Sequence, residues 1–270
     1  MTGPAVESMN PRRQTILGME VDTVSTEDVL LRVFAWAQSD SGKYICVSNV
    51  HQCMETFDDP GFRNVINSAD LVIPDSQILG FAQKFLGYGR SREIARGVDL
   101  MGRLCEEAAS RHVPIAIYGG SEASLPLLVQ ALRHRYPSIN IACAITPPFR
   151  ELNRDELDSH SSDIRNSGAR LLFVGIGCPK QEKWMHDQAR KLPVVMIGVG
   201  AAFDFIAGVT RPSPRWIHRL GLEWLYRLLI EPRRLWKRYL KHNPRFVYHL
   251  VRQKLGRQYP LTSESTRQRA

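Results

Sequence analysis

The chain has 270 residues, of which 43% are hydrophobic, so it can form one large globular domain with an appendage or two small domains. Its first 13 residues lack the apolar segment of a secretory signal, and no apolar run reaches the roughly 18 residues of a membrane span. The five cysteines form no C-x-x-C pair and no zinc-ligand spacing with histidines. We therefore expect a cytoplasmic protein with reduced thiols and no bound metal.

The net charge of +9 is unevenly distributed along the chain. From Arg211 to the C-terminus there are 15 Lys and Arg against 3 Asp and Glu, whereas the preceding residues are mildly acidic. Such an asymmetry indicates a polyanionic partner for the last sixty residues, which can be anionic lipid, nucleic acid or a diphosphate.

Short apolar runs alternate with helical periodicity along most of the chain. Residues 1–13 are predicted to be a disordered lead-in. The predicted strands cover residues 15–19, 44–47, 71–73, 115–118, 139–143, 171–174 and 194–197. The predicted helices cover residues 26–38, 61–68, 77–86, 99–111, 124–135, 155–167 and 180–190. This alternation predicts an α/β domain over residues 14–208 with a mostly parallel sheet, helices on both faces, and ligands beyond the carboxyl ends of the strands.

Residues 209–270 differ in composition and are predicted to form a basic, amphipathic helical appendage. Over residues 233–241, leucine and aromatic side chains fall on one side of a helical wheel and basic side chains on the other. This pattern suits a membrane surface, and it equally suits a helix packed on its own domain with a solvated basic face.

Two glycine-rich loops follow predicted strands, at residues 175–182 and 198–204. Neither is a complete G-x-G-x-x-G fingerprint or a P-loop. Backbone amides at the start of the next helix, with Lys180 and Gln181, suit a phosphate, although the glycines can equally serve tight strand–helix turns.

Polar residues follow two of the predicted strands. Asp75 is placed where α/β enzymes carry out their chemistry, but spacing alone favours a helix N-cap there. Asn49 can hold a ligand hydroxyl or a turn. His51 is a candidate base, although a lone histidine is more often structural, and Asp70 is interpreted as structural.

Several sequence blocks occur in a specific order: Pro74-Asp75, then residues 146–149, 173–182, 198–208, 222–227, 231–234 and 238–239. Together they resemble the WecG/TagA/CpsF glycosyltransferases, glycosyltransferase family 26, over residues 16–239. The resemblance implies a Rossmann-like core that transfers a sugar from a UDP-sugar to a polyprenyl-diphosphate-linked sugar, with inversion and without a metal or cofactor. It places the enzyme at the inner face of the bacterial membrane, in surface or cell wall polysaccharide synthesis.

The resemblance also implies roles for individual residues. Asp75 would be the general base. The appendage would meet an anionic membrane surface and supply cations to the departing UDP, from Arg227, Arg234 and either Lys237 or Arg238. The absence of a D-x-D acid pair agrees with such metal-free chemistry. The other substrate-binding residues would be Ser48, Asn49, Arg96, Lys180, Gln181, Glu182 and Asp204.

The sequence departs from the family pattern around the expected sugar pocket. Val47 replaces a usual threonine beside Ser48, Ser76 replaces a glycine, and Ile94 replaces an arginine but is flanked by Arg92 and Arg96. The donor can therefore be a hexose such as glucose as readily as N-acetylmannosamine.

Two other functions are weighed against this one. A soluble nucleotide-sugar-modifying enzyme requires a complete dinucleotide fingerprint, which the sequence lacks. A nucleic-acid-binding protein requires stacking aromatics interleaved with basic residues, whereas the appendage aromatics share a face with leucines. We expect no nucleic-acid partner.

Overall fold

The computed structural model describes residues 13–88 and 96–256. The predicted lead-in except Arg13, the flanking Arg92 and residues 257–270 of the predicted appendage lie outside this part of the chain. Two short strands, β1 (Arg13–Ile16) and β2 (Met19–Asp22), form an antiparallel hairpin. The prediction of one strand over residues 15–19 is wrong because Leu17 and Gly18 turn the chain, with φ of 50° and 88°.

The central sheet of the described chain has six strands. In chain order they are β3 (Lys43–Ser48), β4 (Leu71–Pro74), β5 (Ile115–Gly119), β6 (Ile141–Ile145), β7 (Leu171–Gly175) and β8 (Val195–Gly198). Their order across the sheet is β4-β3-β8-β7-β5-β6, and every neighbouring pair is parallel. The predicted α/β class with a parallel sheet is therefore confirmed, with the strand predicted at 139–143 shifted by two residues.

Helices connect the strands and continue beyond the last one. They are α1 (Thr26–Trp36), α2 (Val50–Asp58), α3 (Pro60–Asn67), α4 (Gln77–Leu86), α5 (Gly97–Ser110), α6 (Ser124–Arg135), α7 (Arg154–Asn166), α8 (Lys180–Gln188), α9 (Ala202–Ile206), α10 (Arg215–Arg219), α11 (Glu223–Ile230) and α12 (Pro232–Lys254). The prediction for α4 is confirmed to the residue because Ser76 caps its first turn and Gly87, at φ 90°, ends it. None of the described helices is long and apolar enough to cross a membrane.

Alternate strand residues pack on opposite faces of the sheet and form two cores. On one face, Ile45 and the strand residues that point to the same side of the sheet pack with apolar side chains of α1, α5, α6 and α9. On the other face, Tyr44 and the strand residues that point to its side of the sheet pack with α2, α3, α4, α7, α8 and Phe246 of α12. Helices therefore cover both faces, as predicted, and the C-terminal helix contributes to one core.

The C-terminal helix α12 packs against α2 and α4. Its inward side carries Leu235, His242 and Phe246, each at most 3% exposed. Near its end, the Gln253 side-chain amide accepts from the Leu17 amide at 3.0 Å and donates to the Thr15 carbonyl at 2.8 Å. The last described helix is thus joined to the first hairpin. One side of α12 packs on the core, as the second alternative for the appendage predicts, while another side stays exposed.

Candidate active site

A cleft of about 960 Å³ lies over the carboxyl ends of β3, β5, β7 and β8. The chain leaves β5 towards the sheet edge at β6, whereas it leaves the neighbouring β7 towards the sheet centre at β8. This is the topological switch point at which open α/β sheets bind ligands. Side chains from α11 and α12 form the opposite wall, so the cleft lies between the sheet and the C-terminal helices.

Asp75 lies at the inner end of the cleft, directly after β4. Its Oδ1 accepts a hydrogen bond from the amide of Gly97, the first residue of α5. Ser76, and not Asp75, caps α4, because its Oγ accepts from the Leu79 amide at 3.4 Å. The helix-cap interpretation of Asp75 is therefore wrong. Desolvation by the surrounding protein raises the pKa of Asp75, although the Gly97 amide and the charge of Arg227 act against it.

Glu223 and His218 share this end of the cleft and were not predicted from the sequence. Burial, followed by the charge of Asp75, raises the pKa of Glu223 to about 7. The His218 Nε2 lies 3.8 Å from the Glu223 carboxylate, and burial lowers the pKa of this histidine. Burial and mutual repulsion thus disfavour the state in which Asp75 and Glu223 are both charged. The available signal was the position of Glu223 at the head of the block at residues 222–227.

A second, smaller cavity of about 60 Å³ begins at the same carboxylates and is walled by α4, α11 and α12. It shares Asp75, Asn49 and Arg238 with the cleft and continues past Ile78 and Trp224. Asp75 thus lies where the large cleft over the sheet meets a narrow cavity beside the C-terminal helices.

Three appendage arginines line the cleft. The guanidinium of Arg227 lies over the ring of Phe205 at 5.0 Å, and that of Arg238 lies over the ring of Tyr239 at 5.1 Å. In both arginines the Nε is buried and has no hydrogen-bond partner among the described residues. Arg234 pairs with Glu231 at the cleft rim. The Nε groups of Arg227 and Arg238 are thus available to donate hydrogen bonds to an anionic ligand.

The loop between β7 and α8 forms another wall of the cleft. Gln181 Nε2 donates to Glu182 at 2.6 Å, and burial raises the pKa of Glu182 to about 7. The Gln181 backbone N–H donates to the Gly177 carbonyl at 2.9 Å, so this backbone amide is not among those free to bind a phosphate. Lys180 is exposed on the cleft side. Gly175 is required by packing, because a Cβ there would lie 2.5 Å from the ring of Phe203.

The model of the Glycosyl transferase WecG/TagA/CpsF family matches residues 14–260. The chain belongs to this family. Similar proteins are the N-acetylglucosaminyldiphosphoundecaprenol N-acetyl-beta-D-mannosaminyltransferases of two organisms. That of Bacillus spizizenii is 28% identical over 228 residues, which cover 84% of this chain and 86% of the relative. That of Staphylococcus aureus is 26% identical over 251 residues, which cover 92% and 96%. The chain is thus a glycosyltransferase.

Some of the remaining predicted site residues of this glycosyltransferase line the cleft, whereas others lie outside it. Asn49 lines both cavities while its Oδ1 caps α2 by accepting from the Gln52 amide at 3.2 Å, so the turn and ligand alternatives are compatible. Arg96 lines the cleft and is held by Asp99 and by the Ser213 carbonyl, at 2.8 and 2.9 Å.

Asp204 also lines the cleft, and burial raises its pKa against the charge of Arg234. Ser48 is fully buried and lines neither cavity. The residue before it at the end of β3, Val47, lines the cleft. Lys237 also lies outside both linings and packs its ammonium over the exposed ring of Trp236 at 5.6 Å. Of the two residues left open by the sequence, Arg238 is the one in the cleft.

Proposed function

We propose that this glycosyltransferase moves a hexose or N-acetylhexosamine from a UDP-sugar to a polyprenyl-diphosphate-linked sugar, with inversion and without a metal cofactor. The observation that carries the proposal is the position of Asp75, at the junction of the two cavities and opposite the arginines of α11 and α12. Residues 14–208 would bind the donor, and residues 209–270 would bind the membrane and complete the site.

The large cleft suits the donor. Its volume matches the 300–1,000 Å³ typical of small-molecule sites, and it lies at the switch point of the sheet. The guanidinium groups of Arg227, Arg234 and Arg238 are placed to neutralise the diphosphate and then the departing UDP. This supply of fixed positive charge is the support for transfer without a metal ion.

The narrow cavity is assigned to the approach of the acceptor because Asp75 lies in its wall. In it, Asp75 would take the proton from the acceptor hydroxyl while that oxygen attacks the anomeric carbon. The bond between the anomeric carbon and the UDP oxygen breaks on the opposite face, so one displacement inverts the configuration. A pKa raised by desolvation makes Asp75 a stronger base than an ordinary carboxylate.

The exposed side of α12 supports docking on the inner face of the membrane. Trp236, Leu240 and Val247 are 46%, 66% and 59% exposed and recur on one side of the helix. The basic residues Arg233, Lys237 and Lys241 are also exposed there. Apolar side chains beside basic ones are typical of helices that lie in an anionic membrane surface. The acceptor cavity is walled by the same helix, so a lipid-linked sugar would enter from the membrane side.

The relatives' names define the first substrates to test. They act on N-acetylglucosaminyldiphosphoundecaprenol and transfer N-acetylmannosamine. We propose the same class of acceptor here. Val47, Ser76 and Ile94, the last outside the described residues, depart from the family pattern expected around the sugar. The donor panel therefore includes UDP-glucose and UDP-N-acetylmannosamine.

The proposal is tested by transfer of labelled sugar from a panel of UDP-sugars to polyprenyl-diphosphate-sugar acceptors in detergent. We expect one donor to label the lipid, no stimulation by Mg²⁺ or Mn²⁺ after EDTA treatment, and an inverted anomeric configuration by NMR. Asp75→Asn keeps an oxygen for the Gly97 amide and should lose at least about a hundredfold in turnover.

The matched control is Asp59→Asn, which makes the same exchange at a carboxylate that caps α3 and lines neither cavity. An Asp75→Asn enzyme as active as wild type would contradict the assigned base. A loss in EDTA that Mg²⁺ or Mn²⁺ restores would contradict metal-free transfer.

A further inference from the structure

Three side chains with metal-binding atoms meet where α12 packs on α2. His51 and Glu55 lie one turn apart on α2, and His242 lies on the buried side of α12. The Glu55 Oε1 is 3.7 Å from His51 Nδ1 and 3.5 Å from His242 Nε2. One ligand atom from each residue lies within 4.8 Å of the other two. The chain therefore brings together two imidazoles and a carboxylate from elements separated by nearly the whole sequence.

Ordinary hydrogen bonding does not explain this arrangement. His51 Nδ1, one of the candidate ligand atoms, is buried and has no hydrogen-bond partner among the described residues. The nitrogen–oxygen separations exceed the 2.7–3.2 Å of a hydrogen bond. Two ligands of a tetrahedral zinc ion, with bonds of roughly 2.1 Å, lie about 3.4 Å apart. The observed separations of 3.5 and 3.7 Å are close to that spacing.

The ligand atoms favour a particular kind of ion. The three side chains offer two imidazole nitrogens and one carboxylate. Mg²⁺ is held mainly by oxygen ligands, which only Glu55 supplies among these three residues. Zn²⁺ forms strong bonds to imidazole nitrogen and needs only one carboxylate here.

The geometry points to a Zn²⁺ site formed by His51, Glu55 and His242, which ties the C-terminal helix to the core. Its fourth ligand would be water, on the side where His51 lines the cleft. The same helix pair is joined by Arg245 and Asp58, whose two hydrogen bonds measure 2.9 and 2.6 Å. The ion would lie one helical turn from Arg238 and would fix that arginine in the cleft.

The test is isothermal titration of the metal-free full chain with Zn²⁺, with Mg²⁺ as the comparison. We expect one Zn²⁺ per chain with micromolar or tighter affinity, weaker by about a hundredfold in His242→Ala, and no Mg²⁺ binding. His249→Ala is the matched control, because His249 lies two turns further along α12 and packs on the ring of Phe57 at 4.4 Å. That variant should bind Zn²⁺ as wild type does.

Two further measurements keep the test decisive if His242→Ala does not fold. Glu55→Gln retains the size of the side chain and should weaken Zn²⁺ binding at least about tenfold. Saturating Zn²⁺ should raise the melting temperature of the wild type by about 5 °C but not that of Glu55→Gln. Absence of Zn²⁺ binding, or equal binding by wild type, Glu55→Gln and His249→Ala, would overturn the site. Neither result depends on the transfer reaction.

Discussion

Replacing Arg238 by alanine tests whether the appendage contributes to the chemistry. Arg238 lines both cavities, and its Nε has no hydrogen-bond partner among the described residues. Its guanidinium contacts Tyr239, over whose ring it lies at 5.1 Å and to whose hydroxyl it donates at 3.4 Å. A charge-assisted hydrogen bond to a phosphate contributes about 1.5–3 kcal/mol. Losing it should therefore lower kcat/KM by about tenfold to 150-fold. The melting temperature should change by less than about 2 °C, because no buried partner is left unsatisfied.

Lys237→Ala is the comparison that separates the effect of a cation's position in the cleft from the effect of its positive charge alone. Lys237 is the adjacent residue on the same helix and carries the same charge, but it lies outside both cavities, over Trp236. In detergent, where membrane attraction does not contribute, its removal should change kcat/KM by less than about threefold. Steady-state rates over a range of UDP-sugar concentrations measure both variants. Equal losses in the two variants would refute a specific role for Arg238 and leave only a general effect of positive charge.

Three further outcomes are expected. Glu182 has a pKa of about 7 in the folded protein and about 4.5 when exposed, so the unfolded state loses this proton at a lower pH than the folded state does. Between pH 4.5 and 8 this difference should lower the free energy of unfolding of the wild type by about 3 kcal/mol. Denaturant titrations across that range should show that Glu182→Gln lacks this decrease. Gly42→Ala should destabilise by about 3 kcal/mol because its Cβ would lie 2.1 Å from the Ala189 carbonyl oxygen, and a melting curve like that of wild type would contradict this packing. Leu240→Glu should reduce sedimentation with anionic vesicles about tenfold, whereas Leu31→Glu, at a similarly exposed leucine of α1, should not.

Local sequence signals were sufficient to predict most strands of the sheet and most of the helices between them. The bounds of α4 follow from a serine cap and a glycine stop, and those of α6 were likewise predicted to the residue. The hairpin was missed because its turn needs positive φ at Leu17, a residue that rarely adopts it. Helix α2 was missed because its first turn follows the strand directly, with Asn49 as its cap.

The active site depends on contacts between residues far apart in the sequence, which a short sequence motif cannot predict. A carboxylate after β4 was predictable at Asp75, but its partner Gly97 lies on another helix. The choice between Lys237 and Arg238 depends on how α12 is rotated against the core, which Leu235 and Phe246 determine by being buried. The pairing of His51 with His242 is invisible to spacing rules because the two residues lie on α2 and α12.

The hydrogen bonds of Gln253 to Thr15 and Leu17 have a consequence for synthesis on the ribosome. The helix that carries Arg238 and buries Phe246 is made after the whole central sheet, yet it packs on elements that precede most of that sheet in the sequence. Contacts of such long sequence separation form slowly and late in folding. Until α12 is made and packed, a nascent chain would therefore leave the apolar contact surface of Phe246 uncovered and the cleft without the wall that carries Arg238.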